Sequence, residues 1–194
     1  MYRLLRCLAQ ILIRPFYRIR IIGRETMPMD GCILCANHIS YFDPICLGLA
    51  LKRPICFMAK SELFTQHGFF AREFLKRCGV FAVRRGSADT QAIDKAVQLL
   101  KQGKMVGIFP QGGIVRKIPP VRTKAGAALL AAKEQLPLWP AVIYAEGKIR
   151  PFVRITVRFG VPLTAEGESL SAARALNHRL QEALQALWEE GHGN

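Results

Sequence analysis

His38 and Asp43 stand five residues apart in Asn37-His38-Ile39-Ser40-Tyr41-Phe42-Asp43-Pro44, directly after the apolar run Cys32-Ile33-Leu34-Cys35-Ala36. The run reads as a buried strand, and Pro44 suits the first turn of a helix. Both side chains are therefore expected at the mouth of a strand. Imidazole exchanges a proton near neutral pH, and a nearby carboxylate can hold its useful tautomer and stabilise the charge it acquires. The pair reads as a general base with its orienting acid.

Other groups belong near that strand mouth. The stretch Lys104–Phe109 predicts a second buried strand, followed by an irregular loop, Pro110–Arg122, rich in glycine, proline and basic residues. In open α/β sheets, sites form beyond the carboxyl ends of strands, so the two loops are expected to converge. A third strand, Val80–Arg84, ends in adjacent arginines, Arg84 and Arg85. Arginine there can grip a phosphate through paired N–H donors; a solvated strand end with surface salt bridges is the plainer alternative. Cys35 and Cys46 flank the histidine block, but apolar neighbours raise a thiol's pKa and count against a thiol nucleophile. There is no G-x-S-x-G elbow. Cys32 and Cys35 form a C-x-x-C within a strand, where residues three apart point to opposite faces, which argues against a redox or zinc role.

The elements that must position these groups alternate. Strands are expected at 19–23, 31–36, 55–59, 80–84, 104–109, 138–144 and 153–160. Helices are expected from Asp43 to Leu51, from Ser61 to Arg77 with an interruption near Gly68, from a Ser87 or Asp89 cap to Gly103, over 124–135, and at the end through Leu176, Leu180, Leu184 and Leu187. Such alternation predicts an α/β fold: one layered domain with a central, largely parallel or mixed sheet flanked by helices. The 194 residues, 51% of them hydrophobic, suffice for one substantial core. An N-terminal appendage, residues 1–18, precedes the main domain, residues 19–194.

Lysine and arginine number 28 against 14 acidic residues, a formal net charge of +14. That excess calls for an anionic partner. Arg3, Arg6, Gln10, Arg14 and Arg18 fall on one side of a helical projection, with Leu4, Leu5, Leu8, Ile11, Leu12 and Phe16 opposite, and Pro15 ending or kinking the helix. This is the pattern of an amphipathic helix lying on an anionic leaflet; a surface helix packed on the protein's own core is the alternative. No apolar run reaches the ~18 residues of a membrane span, and no signal-peptide pattern is present. The sequence offers no aromatic–basic sheet motif, zinc pattern or convincing helix-turn-helix, so the charge excess alone supports the competing class of a basic nucleic-acid-binding domain, and no nucleic-acid partner and no metal are expected.

Taken with Phe109-Pro110-Gln111-Gly112-Gly113, the histidine block resembles the glycerolipid acyltransferase superfamily, and more narrowly the bacterial 1-acylglycerol-3-phosphate acyltransferases. The resemblance covers nearly the whole chain. Gly23-Arg24-Glu25 and Met27-Pro28 match the family's approach to its first block, and His38 and Asp43 match that His-x4-Asp block. Lys60 matches a recurrent lysine, and Val83-Arg84-Arg85 the second block, with Arg85 on the family arginine. Leu136-Pro137-Leu138-Trp139-Pro140 matches the fourth block, and Val157-Arg158-Phe159-Gly160-Val161-Pro162-Leu163 the closing strand and turn. The third block departs from the family's Phe-Pro-Glu-Gly-Thr-Arg: Gln111 replaces glutamate, Gly113 threonine and Ile114 arginine. Glutamine keeps an oxygen acceptor and loses the charge.

The resemblance implies transfer of a fatty acyl group from acyl-CoA or acyl-ACP, the donor substrate, to the hydroxyl of 1-acylglycerol 3-phosphate, with no bound cofactor. His38 would act as base and Asp43 as its orienter. Backbone amides near Gly112-Gly113 would meet the oxyanion, and Lys60, Arg85 and Arg116 would hold the head-group phosphate, with Lys117 and Arg122 nearby. Partners would be a lysophospholipid, the acyl carrier and an anionic membrane surface, with the enzyme peripheral or monotopic on the cytoplasmic side of the cell membrane. Two alternatives stay open: an acyltransferase for another lysophospholipid or for glycerol 3-phosphate, and a catalytically silent lipid-binding relative.

Overall fold

Strand β2 (Cys32–Ala36) is buried along its whole length at the centre of a seven-stranded sheet. This computed structural model describes residues 2–13, 15–28, 30–66, 68–84, 89–115, 122–147 and 149–192. The other strands are β1 (Arg18–Ile22), β3 (Ile55–Lys60), β4 (Phe81–Val83), β5 (Met105–Ile108), β6 (Leu138–Ala145) and β7 (Arg154–Phe159). The helices are α1 (Tyr2–Ile13), α2 (Asp43–Ala50), α3 (Glu62–Thr65), α4 (Gly68–Arg77), α5 (Thr90–Lys101), α6 (Gly126–Lys133) and α7 (Leu170–His192).

The strand order is β1-β7-β6-β2-β5-β3-β4. Strands β2 to β6 run parallel. Strand β7 is antiparallel to β6, and β1 pairs parallel to β7, so this outer pair runs against the rest. The sheet is mixed, and the fold is the expected α/β layered one.

Helices cover both faces. Ile33 and Cys35 of β2 enter a core with Leu99 and Leu100 of α5, Ala128 and Ala131 of α6, and Leu176, Leu180 and Leu184 of α7. Cys32, Leu34 and Ala36 enter a second core with Cys46, Leu47 and Ala50 of α2. A strand buried on both faces reads as a continuous apolar run, which is why this segment was legible. Each fully buried leucine contributes about 1.5–3 kcal/mol, so the α7 leucines hold the C-terminal helix to the sheet.

Local signals set the element ends. Helix α1 stops at Ile13, before Pro15. The helical region after β3 breaks in two, and Gly68 takes a left-handed φ of 74° where α4 begins. Asp89 caps α5, its carboxylate accepting from the Ala92 N–H at 3.3 Å. Inside the expected loop a single 3-10 turn forms at Arg24–Thr26.

Cys32 and Cys35 do face opposite cores. Burial pushes the Cys32 thiol up to about 11 and those of Cys35 and Cys46 further still. A thiol reagent is expected to label the exposed Cys7 first and to leave these three untouched until the protein is denatured. Rapid native-state labelling at Cys32, Cys35 or Cys46 would contradict this packing.

Candidate active site

The chain leaves β2 through Asn37, and this residue ties the loop to the sheet. Asn37 is fully buried; its Nδ2 donates to the Ile143 carbonyl at 3.0 Å, and the Ile143 N–H donates to Asn37 Oδ1 at 2.7 Å. An asparagine side chain here completes the ladder between β2 and β6 just past their last paired residues, Ala36 and Ala141. The tie to the sheet is thus made by the neighbour of His38, not by the His38 side chain.

His38 is left for other work. Its Nδ1 lies 2.7 Å from Asp43 Oδ2. The same carboxylate oxygen accepts the backbone N–H groups of Ile39 at 2.6 Å and Ser40 at 2.8 Å. Asp43 is fully buried in the first turn of α2, where the helix dipole favours negative charge, while 13% of the His38 side chain is exposed. With Nδ1–H held by an acceptor-only oxygen, a neutral imidazole keeps its lone pair on Nε2, which has no hydrogen-bond partner among the described residues. The ring is fixed in plane as well, stacking on Phe109 with centroids 4.1 Å apart. Phe109 stacks in turn on Phe57, 5.5 Å away. Phe57 lies flat over Gly107 of β5, where an added Cβ would come within 2.5 Å of the Phe57 ring. Glycine at 107 is what lets this stack reach the histidine.

The two loops meet as expected. Cys35 of β2 pairs with Ile108 of β5, so the chains leave the sheet side by side. The His38 N–H donates to Gln111 Oε1 at 2.6 Å, and the Val115 N–H donates to the His38 carbonyl at 2.8 Å. Gln111, one of the three residues that depart from the pattern of the third block, serves as an uncharged acceptor for a loop amide. That role requires an oxygen and no charge.

The turn that follows separates the two glycines. The Gly112 N–H donates to the Phe109 carbonyl at 3.0 Å, with φ at 76°. The Gly113 N–H has no hydrogen-bond partner among the described residues and remains the one open amide of the two. A Cβ on Gly112 would meet Lys124 Nζ at 2.8 Å, so this ammonium lies directly over the turn. In sequence Lys124 reads as the start of an Ala/Leu-rich helix, whereas in the structure it precedes α6, which begins at Gly126. The hydrogen bond of its own N–H to the Pro110 carbonyl, at 2.7 Å, carries it back to the site.

Lys60 and Arg84 are placed less centrally. Lys60 ends β3 and pairs with Glu62 at 3.0 Å, about half exposed. Arg84 donates its backbone N–H to Asp89 Oδ2 at 2.7 Å, the main reason that this carboxyl is held below the ordinary range. Arg85 and Arg116, two of the expected phosphate ligands, lie outside the described residues, as do Lys117 and His67. His178 makes an exposed pair with Glu182 on α7.

The family model described as Acyltransferase matches residues 18–144. The chain is 31% identical over 183 residues to a 1-acyl-sn-glycerol-3-phosphate acyltransferase of Bacillus subtilis (strain 168), covering 84% of this chain and 87% of that protein. It is 30% identical over 147 residues to the chloroplastic 1-acyl-sn-glycerol-3-phosphate acyltransferase BAT2 of Brassica napus, of which it spans 42%. Its fold is similar to the crystal structure of the 1-acyl-sn-glycerophosphate (LPA) acyltransferase PlsC from Thermotoga maritima, at a TM-score of 0.69 and 19% identity, covering 97% of this chain and 78% of that one.

Proposed function

Because the chain belongs to the acyltransferase family, we propose that it esterifies the free hydroxyl of 1-acylglycerol 3-phosphate with a fatty acyl group from acyl-CoA or acyl-ACP, giving phosphatidic acid. The observation that carries the reading is the 2.7 Å pairing of His38 Nδ1 with a buried Asp43, which leaves Nε2 as the open base. The acceptor hydroxyl gives its proton to Nε2 as its oxygen attacks the thioester carbon. Asp43 holds the imidazolium that results. The oxyanion is met by the Gly113 N–H, with the Lys124 ammonium beside it. The C–S bond then breaks, and the thiolate leaves as a thiol after taking the proton from His38. Thiolate is a good leaving group, so no covalent acyl-enzyme is needed.

Lys60, Arg85, Arg116 and Lys124 are the cations proposed for the head-group phosphate. Ile114 stands where the family has arginine, and this favours a second reading in which the acceptor is another lysophospholipid or glycerol 3-phosphate. Among the described residues no helix is long and apolar enough to cross a membrane. The exposure of Leu8, Ile11 and Leu12 on α1 supports contact of that helix with an anionic leaflet.

The deciding experiment offers purified protein acyl-CoA or acyl-ACP with 1-acylglycerol 3-phosphate, lysophosphatidylcholine, lysophosphatidylglycerol or glycerol 3-phosphate. Phosphatidic acid is the expected product, identified by mass. Faster acylation of another acceptor would replace the proposed substrate, and lysolipid binding without thioester turnover would make the protein a silent relative.

A further inference from the structure

The outer strand pair carries a cationic cleft that the proposed chemistry does not use. In β1, Ile19 and Ile21 turn into the core beside α2, which sends Arg18 and Arg20 to the other face. Arg154 of β7 is in register with Arg18 and shares that face. Together with Tyr17 and Ile19, these three arginines line a cleft of about 270 Å³. All fourteen acidic side chains are among the described residues, and none pairs with Arg18, Arg20 or Arg154. Like charges in neighbouring strand positions oppose folding unless an anion lies between them. Guanidinium forks suit the oxygens of a phosphate.

The surroundings indicate which phosphate. Phe16 and Phe152, two residues before Arg18 and Arg154, meet edge to face with centroids 6.1 Å apart, and the Phe152 N–H donates to the Phe16 carbonyl at 2.6 Å. Phe152 is 70% exposed and sits at a φ of 69°, a left-handed conformation that a phenylalanine rarely adopts. An aromatic ring held out beside arginines suits the boundary between head groups and acyl chains. Because β1 and β7 run against β2 and β6, their first residues lie on the rim of the sheet from which His38 projects.

We propose that Arg18, Arg20 and Arg154 bind the phosphate head group of an anionic phospholipid in the bilayer, two to three strands (about 10–14 Å) from the catalytic strand, and that this contact turns the His38 rim toward the membrane. The proposal rests on the reading of the chain as an enzyme of lipid acceptors, and its test separates the two. Binding of the full chain is measured on phosphatidylcholine vesicles with and without phosphatidylglycerol. Each basic residue near such a surface strengthens binding about fivefold, so Arg18→Gln/Arg20→Gln/Arg154→Gln is expected to weaken binding to the phosphatidylglycerol vesicles about a hundredfold. Arg154→Gln alone should cost about fivefold, which covers the case that the triple variant folds poorly. Lys52→Gln/Lys101→Gln/Lys104→Gln removes equal charge around the starts of β3 and β5, on the opposite rim, and is expected to change binding far less. His38→Ala should bind vesicles like the wild type, so loss of catalysis leaves this result intact. Equal losses in the two triple variants would overturn the proposal, as would binding indifferent to phosphatidylglycerol. So would calorimetry showing that inorganic phosphate occupies the cleft as tightly as the vesicle surface does.

Discussion

Alanine at His38 is expected to lower turnover of the acyl thioester by at least ~100-fold, and by as much as ~10⁴-fold, with the melting temperature close to that of the wild type. The size follows from the place of Nε2 as the open base at the strand mouth, since a positioned general base contributes on that scale. The modest effect on folding follows from the division of labour in the loop. Asn37 makes the buried tie to β6, Gln111 and Val115 bond the His38 backbone, and Asp43 Oδ2 still accepts from Ile39 and Ser40 when the ring is gone. What alanine removes is the proton acceptor and the stack on Phe109. Because the proton moves only as the new bond forms, kcat should fall while KM for the lysolipid stays within a few-fold. Activity within a few-fold of wild type would show that another group takes the proton.

The histidine block was legible because every signal in it is local. A continuous apolar run ended by a polar octapeptide with proline in the next helical turn specifies strand, loop and helix without reference to the rest of the chain. The convergence of the two loops was legible too, since parallel neighbours β2 and β5 must release their chains on the same side. The limits appear where distant residues decide. Nothing local indicates that β7 turns against β6 and takes β1 with it, because that choice rests on pairings such as Val142 with Arg158 and Arg20 with Thr156. The arginine cleft depends on that edge and was invisible for the same reason. In sequence Gln111 reads as a glutamate without its charge, and only its partner, an amide 73 residues away, gives that substitution a role. Lys124 reads in sequence as the polar start of a helix, and only the Gly112 turn beneath its ammonium gives it a place near the reacting atoms.

Asp43 serves both the loop and the imidazole through one oxygen, and two substitutions should pull these roles apart. Asparagine can present its amide oxygen where Oδ2 now lies and keep all three hydrogen bonds, from His38, Ile39 and Ser40. Its NH₂ would fall where Oδ1 sits, buried and without a hydrogen-bond partner among the described residues. Asp43→Asn therefore leaves the loop in shape and removes the charge that steadies the imidazolium. A hydrogen bond to a charged group is worth about 1–1.5 kcal/mol more than one to a neutral group, so kcat should drop roughly 5- to 13-fold with little change in melting temperature. Asp43→Ala also strands two backbone N–H groups at the head of α2. Their lost bonds cost about 1–3 kcal/mol each where they are shut off from water, so this variant should melt several degrees lower as well as being slower than Asp43→Asn. The split between kcat and KM supplies the independent readout. The carboxylate charge acts once the imidazolium forms, so Asp43→Asn should lower kcat while KM for the lysolipid stays within a few-fold. If both variants lose stability equally and Asp43→Asn keeps the wild-type kcat, Asp43 is a loop-building residue alone, and the charge that helps His38 must come from elsewhere.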